Sequence, residues 1–460
     1  MSTHFDLLVI GFGKGGKTLA VTLANQGKKV ALVEQSADMY GGTCINIGCV
    51  PTKALAHRAQ EVSHIKSAAD LEAAFEGAVA FRGSLTEKLR AANFSMLNDL
   101  PSATVITGHA RFTSDTQVEV SAGGETLVLT AETIVINTGA VPVLPPIKGL
   151  AESSRVLTST EAQQLPGRPA SLAVIGGGPI GIEFASIFAQ FGTRVTLIND
   201  KPALFDRYDA DVAATATGLL EDAGIKPLNG MTVTEIQDAE TRVKVLAEDS
   251  QGQQLEVESD YVLVATGRKP ATENLGLENT TIKTTDRGAI VVDEYLRTSV
   301  PGIFAIGDVN GGPQFTYISL DDFRIVLDQL TGNGKRSTKD RVAVPNTIFT
   351  NPPLASVGMT AAAAEEAGKN IRTATQTVAS IKAMPRPKIL GNPAGIMKFV
   401  IDAETDQILG AQLLSVDAQE LINLVALAMR TGTTATELKN GIYTHPSSTE
   451  ALNEVLGQKE

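Results

Sequence analysis

A chain of 460 residues, 43% of them hydrophobic, is long enough to bury full cores in about three domains. Its formal charge of -12 works against nucleic acid or an anionic membrane surface as the main partner. No apolar run approaches the eighteen or so residues of a membrane span, and the first residues enter a strand-like run at 5–10 without a signal-peptide pattern, so a cytoplasmic location is expected.

The first elements read strand, glycine turn, helix, strand. An apolar run ends at Ile10, Gly11, Gly13 and Gly16 follow, and an Ala/Leu-rich helical stretch leads to a second strand over 29–34 that closes on Glu34. This is a dinucleotide-binding fingerprint in its required context. Gly11 permits the tight turn, Gly13 lets backbone approach a pyrophosphate, and Gly16 lets the helix pack on the sheet. The N–H groups at the head of the helix face the anion, and Glu34 can accept hydrogen bonds from a ribose.

The only two cysteines come next, in Gly41-Gly42-Thr43-Cys44-Ile45-Asn46-Ile47-Gly48-Cys49-Val50-Pro51-Thr52-Lys53. An unbroken helix rises about 7.5 Å over five residues, which carries the two Cα atoms past the roughly 7 Å limit for an unstrained bridge. The segment must therefore bend if the thiols are to meet. Gly48 tolerates unusual backbone angles, and Pro51 removes a donor. A helix is predicted over 53–60, which sets the thiols near a helix N-terminus, where the partial positive charge favours thiolate. The pair can be a structural bridge, two unpaired buried cysteines or half of a metal site. A redox-active disulfide is favoured, because intracellular bridges are usually redox-active and no His-rich cluster accompanies the pair; no metal ligand set is expected.

Asn137-Thr138-Gly139 ends a further strand, and Pro142, Pro145, Pro146 and Gly149 mark extended linker beyond it. The fingerprint then returns. Strand 171–175 runs into Gly176, Gly178 and Gly181, with Glu183 in the helix that follows, and a second strand ends at Asn199-Asp200. Asn199 falls where Glu34 falls in the first copy, so two dinucleotides are expected. Ala265-Thr266-Gly267-Arg268 is another strand turning at glycine. Gly307-Asp308 follows a short buried strand and becomes a candidate contact to a second part of the bound nucleotide.

Composition changes near Arg341. A helix over 360–368, strands over 396–401 and 408–414 and an apolar helix over 418–430 read as an α+β domain without a nucleotide site, the helix buried in the domain or against another subunit. The basic loop at 382–388, with Lys382, Arg386 and Lys388, reads more readily as solvated than as a clamp for an anionic substrate. At the end, Pro446 stops the preceding element and Ser447 or Ser448 can cap a helix carrying Glu450. His445 has the range for proton transfer near neutrality, and Glu450 is close enough in sequence to orient its ring.

These motifs, in this order and over nearly the whole chain, resemble the class I pyridine nucleotide-disulfide oxidoreductases, the group of glutathione reductase, dihydrolipoamide dehydrogenase and mercuric reductase. The resemblance implies two Rossmann-like dinucleotide-binding domains and a C-terminal α+β dimerisation domain. Residues 1–147 and 269–340 would bind FAD, 148–268 NADH or NADPH, and 341–460 would form a homodimer. By the same resemblance Cys49 lies against the flavin, Cys44 faces substrate, and Lys53 and Glu183 pair near the flavin's reactive edge. Gly42, Thr43, Thr138, Gly139, Gly307 and Asp308 join the flavin site; Asn199, Asp200, Gly267 and Arg268 join the cofactor contacts. His445, backed by Glu450, comes from the partner subunit.

Tyr443 stands where dihydrolipoamide dehydrogenases usually carry a first His, and no cysteines remain for the C-terminal pair of mercuric reductases. The stretches 10–20 and 39–49 most resemble the bacterial reactive-chlorine-resistance flavoproteins, a group that includes hypothiocyanite reductases and a copper(II) reductase. The resemblance points to an NAD(P)H-dependent reductase of hypothiocyanous acid in oxidant defence. Copper(II) or mercuric-type metal reduction and general disulfide reduction are the alternatives, and a nucleotide-binding redox sensor that reacts once is the reading from another class. Lys201 and Arg207 can receive a 2′-phosphate, which leaves the choice of nucleotide open.

Overall fold

Leu7, Leu8, Val9 and Ile10 are all buried, because the strand Ser2–Ile10 runs through the middle of a seven-stranded sheet with apolar packing on both faces. It pairs in parallel with Val30–Glu34 on one side and with Glu125–Ile136 on the other. Ala103–Thr107 and Ile303–Ala305 add further parallel strands, and Gln117–Ala122 and His109–Ser114 extend the sheet antiparallel. Leu8, Ile10, Phe112 and Ile136 fill one face; Leu7, Val9, Leu19 and Phe304 fill the other. Side chains alternate faces along a strand, so a continuous apolar run is what burial on both sides requires.

This sheet belongs to one of two compact units in the computed structural model, which describes residues 2–62 and 64–458. The first unit takes residues up to 55, 77–143 and 267–341; the second takes 56–76, 144–266 and 342–460. Arg268, expected with the second nucleotide-binding segment, lies in the first unit because Arg268–Pro270 pairs antiparallel with Ala140–Pro142. Residues 56–76, expected with the first segment, lie in the second, where the Phe75 ring meets those of Phe188 and Phe191.

Four helices serve the first sheet's sequence: α1 (Lys14–Asn25), α2 (Thr43–Asn46), α3 (Cys49–Glu61) and α4 (Ala68–Asn98). The helix predicted to begin at 53 begins at Cys49. Pro51 falls inside its first turn, where a missing N–H has no helical acceptor to lose.

In the second unit Ser171–Ile175 is central to a five-stranded parallel sheet with Arg194–Asn199, Ile225–Asn229, Tyr261–Val264 and Val156–Leu157. A three-stranded antiparallel sheet, Thr232–Asp238, Val243–Glu248 and Gln254–Ser259, follows it. The C-terminal part is a five-stranded antiparallel sheet that includes Ile396–Asp402 and Ile408–Leu414. The helix Ala418–Thr431 packs Leu421, Ile422 and Val425 into that core, while Leu427 stays half exposed. Within this unit Asp209 is buried and accepts from the Gln412 side-chain amide at 2.7 Å.

In the first unit a buried ion pair closes the end of the sheet. Asp322 is fully buried, accepts from the Gly307 amide at 2.6 Å and pairs with Arg341, whose Nε also meets Asp321 at 2.8 Å. Burial pushes the Asp322 carboxyl up, and the Gly307 amide and Arg341 oppose it. Removing one partner of such a pair strands a charge at a cost of about 3–5 kcal/mol. Arg341→Leu should therefore lower the thermal unfolding midpoint clearly, and Asp322→Asn added to it should restore part of the loss.

Candidate active site

Cys44 sits in the second position of α2 and Cys49 is the first residue of α3. No disulfide joins the two thiols; Cys44 is half-buried and Cys49 exposed, and their side chains are within hydrogen-bonding reach of each other. The short α2 and the longer α3 are separated at Ile47-Gly48, which supplies the bend that the spacing demands. Gly48 serves it differently from expectation. Its backbone is outside the left-handed region, and what matters is its missing Cβ, which would stand 2.9 Å from the Thr43 carbonyl oxygen. The Cys44 thiol is pushed up, chiefly by its hydrogen bond to Cys49, then by burial and by Cys49's charge; Thr316 and Lys17 oppose this. A pair this close holds one thiolate readily and a second only with difficulty, so proximity outweighs the helix end that was expected to favour ionisation. Thr316 Oγ1 lies 3.6 Å from Cys49 Sγ at the head of the helix Thr316–Thr331, and Tyr317 beside it is pushed up to about 12 by burial and by Cys49.

The first fingerprint turns at Gly11 with φ +98°, and a Cβ there would stand 2.5 Å from the Asn137 carbonyl oxygen. Asn137 is the hub that the sequence reading passed over in favour of Thr138 and Gly139. It is buried, its Oδ1 accepts from the Gly16 amide at 2.9 Å, and its Nδ2 donates to the Ile306 carbonyl at 2.8 Å. Gly13 and Gly16 both pack directly against its side chain, Gly42 packs against Gly13, and Gly307 approaches its Nδ2. At the head of α1 the Gly15 amide goes to Ser319 Oγ at 3.1 Å and the Gly16 amide to Asn137. Among the described residues the amides of Gly13 and Lys14 have no acceptor, which suits a phosphate oxygen.

Glu34 is buried and accepts from the Phe12 amide at 3.0 Å; burial pushes its carboxyl up against that bond. Thr138 Oγ1 donates to the Ala271 carbonyl at 2.7 Å. Arg268 donates to the Ala140 carbonyl, and its charge opposes the rise that burial imposes on Asp308. Lys53 is half-buried on α3, Thr43 opens α2, and Gly267 is exposed.

The second fingerprint turns at Gly176 with φ +111°. Its glycines divide the work: a Cβ on Gly181 would stand 2.0 Å from the Gly176 carbonyl oxygen, whereas one on Gly178 would meet no protein atom within 4 Å. Asn199 is buried, with its Nδ2 shared among the carbonyls of Lys201 and Ala203 and Oδ1 of Asn229. The exposed groups at that strand end are Asp200 and Lys201, 3.9 Å apart. Glu183 is buried on the helix Pro179–Gln190 and accepts from the Phe349 amide at 2.9 Å.

His445 Nδ1 is 2.9 Å from Glu450 Oε1, and Glu450 Oε2 accepts from the Ser447 amide at 2.8 Å. The Ser447 amide, then His445, hold the Glu450 carboxyl below its usual range. With Nδ1 held by a carboxylate, Nε2 is the nitrogen free to exchange a proton. Neither serine side chain caps the following helix Ala451–Val455: Ser448 Oγ donates to Asp417 at 2.8 Å instead. In the basic loop, Arg386 meets Asp417 at 2.5 Å and Lys388 donates to the Ile381 carbonyl, so two of its cations are spent internally.

Residues 5–322 match the family model for pyridine nucleotide-disulphide oxidoreductases, and residues 344–456 match the dimerisation domain of the same family. The chain belongs to the pyridine nucleotide-disulphide oxidoreductase family. It is 44% identical over 98% of both chains to a protein of Escherichia coli described as the probable pyridine nucleotide-disulfide oxidoreductase RclA. It is 36% identical to a dihydrolipoyl dehydrogenase of Thermus scotoductus, over 98% of this chain and 96% of that one. A solved structure described as the Cu(II) complex of the HOCl-induced flavoprotein disulfide reductase RclA from Escherichia coli superposes with a TM-score of 0.93, covering 99% of each chain at 44% identity.

Members of the pyridine nucleotide-disulphide oxidoreductase family are flavoprotein enzymes that use FAD and NAD(P)H, and the dimerisation domain supports a homodimer. The turn from Gly11 to Lys14, with its two open amides and the Glu34 carboxylate at the neighbouring strand end, fits the pyrophosphate and ribose of such a nucleotide. Among the described residues no group of three or more His, Cys, Asp and Glu is placed to hold a metal ion, and no helix is long and apolar enough to cross a membrane.

Two outcomes are expected from this geometry. Gly178→Ala should leave folding intact and raise the Michaelis constant for the nicotinamide nucleotide severalfold, whereas Gly181→Ala should cost soluble protein. Because Cys49 supplies the first influence holding the Cys44 thiol up, Cys49→Ser should move the pH midpoint for iodoacetamide alkylation of Cys44 downward in the reduced enzyme.

Proposed function

We propose that this enzyme reduces hypothiocyanous acid to thiocyanate at the expense of NAD(P)H, in defence against reactive chlorine and related oxidants. The observation that carries the reading is the Cys44–Cys49 pair, two thiols in contact beside a dinucleotide-binding fingerprint. Support for the substrate class comes from the 44% identity to the Escherichia coli protein whose description includes induction by HOCl.

The thiolate of Cys44 attacks the electrophilic sulfur of hypothiocyanous acid, forming a sulfur–sulfur bond to the thiocyanate group while the S–O bond breaks and oxygen leaves as water with an added proton. That proton comes from Nε2 of the partner subunit's His445, whose Nδ1 is held by Glu450. Cys49 then attacks Cys44 Sγ, closing the disulfide and expelling thiocyanate. Two thiols and one hypothiocyanous acid yield a disulfide, water, thiocyanate and a proton. FAD held at the Gly11–Lys14 turn and Glu34 would supply, from NAD(P)H, the electron pair that returns the disulfide to two thiols. We assign Lys53 to the flavin's reactive edge, and Asp200 and Lys201 to the ribose end of the nicotinamide nucleotide. A small oxidant needs no deep substrate pocket, which suits a half-buried Cys44.

Copper(II) reduction is the second reading, supported by the Cu(II) complex of the Escherichia coli relative. Stopped-flow reoxidation of the two-electron-reduced enzyme separates them. Fast reaction with hypothiocyanite is expected, and slow reaction with it beside fast reaction with copper(II) or lipoamide would remove the first choice. Cys44→Ser should abolish turnover, and Cys49→Ser should trap a thiocyanate adduct on Cys44 detectable by mass. Continued consumption of NAD(P)H over many equivalents of oxidant distinguishes an enzyme from a sensor.

A further inference from the structure

Lys17 follows directly on the last glycine of the first fingerprint, on the first turn of α1, and only 5% of it is exposed. Taking an ammonium out of water is costly unless a counter-charge replaces the solvent, and an apolar side chain of similar volume is often the more stable occupant of such a place. Among the described residues Lys17 has no carboxylate partner. Its Nζ donates to the Gly41 carbonyl at 3.3 Å and to Oδ1 of Asn93, both neutral acceptors. Asn93 is itself buried on α4, where its Nδ2 donates to the Leu89 carbonyl at 2.7 Å, so its Oδ1 is aimed at the lysine.

The charged and titratable groups around this ammonium can be named element by element. Lys14 lies one turn earlier on α1 and repels it; Cys44 on α2 attracts it. Arg90 on α4 is turned away to Asn46 Oδ1 and Asp38 at 2.9 Å each. Burial, then Lys14, bring the Lys17 ammonium down to about 8, and Cys44 opposes them. From the other side, Lys17 is one of two influences that hold the Cys44 thiol down, and it is the cationic one. The Gly41 carbonyl that Lys17 grips belongs to the left-handed pair Gly41-Gly42, φ +96° and +78°, which leads straight into α2 and Cys44.

We propose that Lys17 is a positioning residue for the redox pair: its buried ammonium is the counter-charge of the Cys44 thiolate, and its bond to Gly41 anchors the turn that delivers Cys44. The inference rests on the reading of Cys44 as the thiol that attacks substrate. It assigns a use to a charge that the hydrogen-bonding inventory of the fold leaves unbalanced.

The test uses the FAD-loaded, reduced dimer carrying Cys49→Ser, so that Cys44 alone is alkylated, and reads the rate of reaction with iodoacetamide against pH. Lys17→Met should raise the Cys44 midpoint by about one pH unit or more, the order expected for loss of a nearby opposite charge, and slow alkylation at pH 7 about tenfold. Lys17→Gln keeps a donor for Gly41 without the charge, so it separates electrostatics from packing should the methionine variant fold poorly; the same rise is expected. Lys17→Arg should return the midpoint toward that of the parent. Unchanged midpoints in a flavin-loaded Lys17→Gln protein would overturn the proposal. Because no oxidant turnover enters this readout, a protein that fails to reduce hypothiocyanite yet shows these midpoints loses the substrate reading and keeps the role of Lys17.

Discussion

Two thiols five positions apart meet here only because the helix they would share is broken between them. The break depends on a backbone approach, Gly48 against the Thr43 carbonyl, that any Cβ would obstruct. Once in contact the thiols govern each other: a negative charge on one raises the cost of a second on its neighbour, so the reduced pair offers a single nucleophile at a time. A dithiol that attacks once and then closes on itself needs that order of events. The geometry of the turn and the chemistry of the pair are thus one constraint.

The nucleotide fingerprint is held by the same economy of close approaches. Asn137 ties the head of α1 to the end of the strand Ile303–Ala305 through the Gly16 amide and the Ile306 carbonyl, and Gly307 closes against it. Ser319 takes the Gly15 amide from the helix that also brings Thr316 to Cys49. Motifs that lie up to three hundred residues apart in the chain are therefore one hydrogen-bonded object, and the redox pair is mounted on it directly through Gly42.

Stability is spent around this object. Asp322 and Lys17 are charges almost wholly withdrawn from water, one paired with Arg341 and the other with neutral acceptors alone. Buried charge is weak evidence for stability and better evidence for a local requirement. For Asp322 the requirement is the Gly307 amide it fixes. For Lys17 it lies beside the cysteine turn.

The amino-acid sequence by itself determined the two nucleotide-binding folds, the cysteine pair, the C-terminal α+β domain and the His445–Glu450 partnership, because each is written in local order: glycines at fixed spacing after a strand, two cysteines around a bend, a histidine five residues before its carboxylate. Tertiary structure alone decided the rest. The helix α4 goes unread because its buried positions Phe75, Ala78, Arg82, Thr86, Asn93 and Leu97 recur at helical spacing but half of them are polar, which breaks the hydrophobic period. Asn199 looked like a ribose ligand from its place in the repeat, yet its amide is committed to Lys201, Ala203 and Asn229. The parts played by Asn137, Asn93 and Lys17 are invisible along the chain for the same reason: hydrogen bonding between distant residues depends on where backbone carbonyls and amides converge, and that convergence exists only once the sheet and its helices have packed.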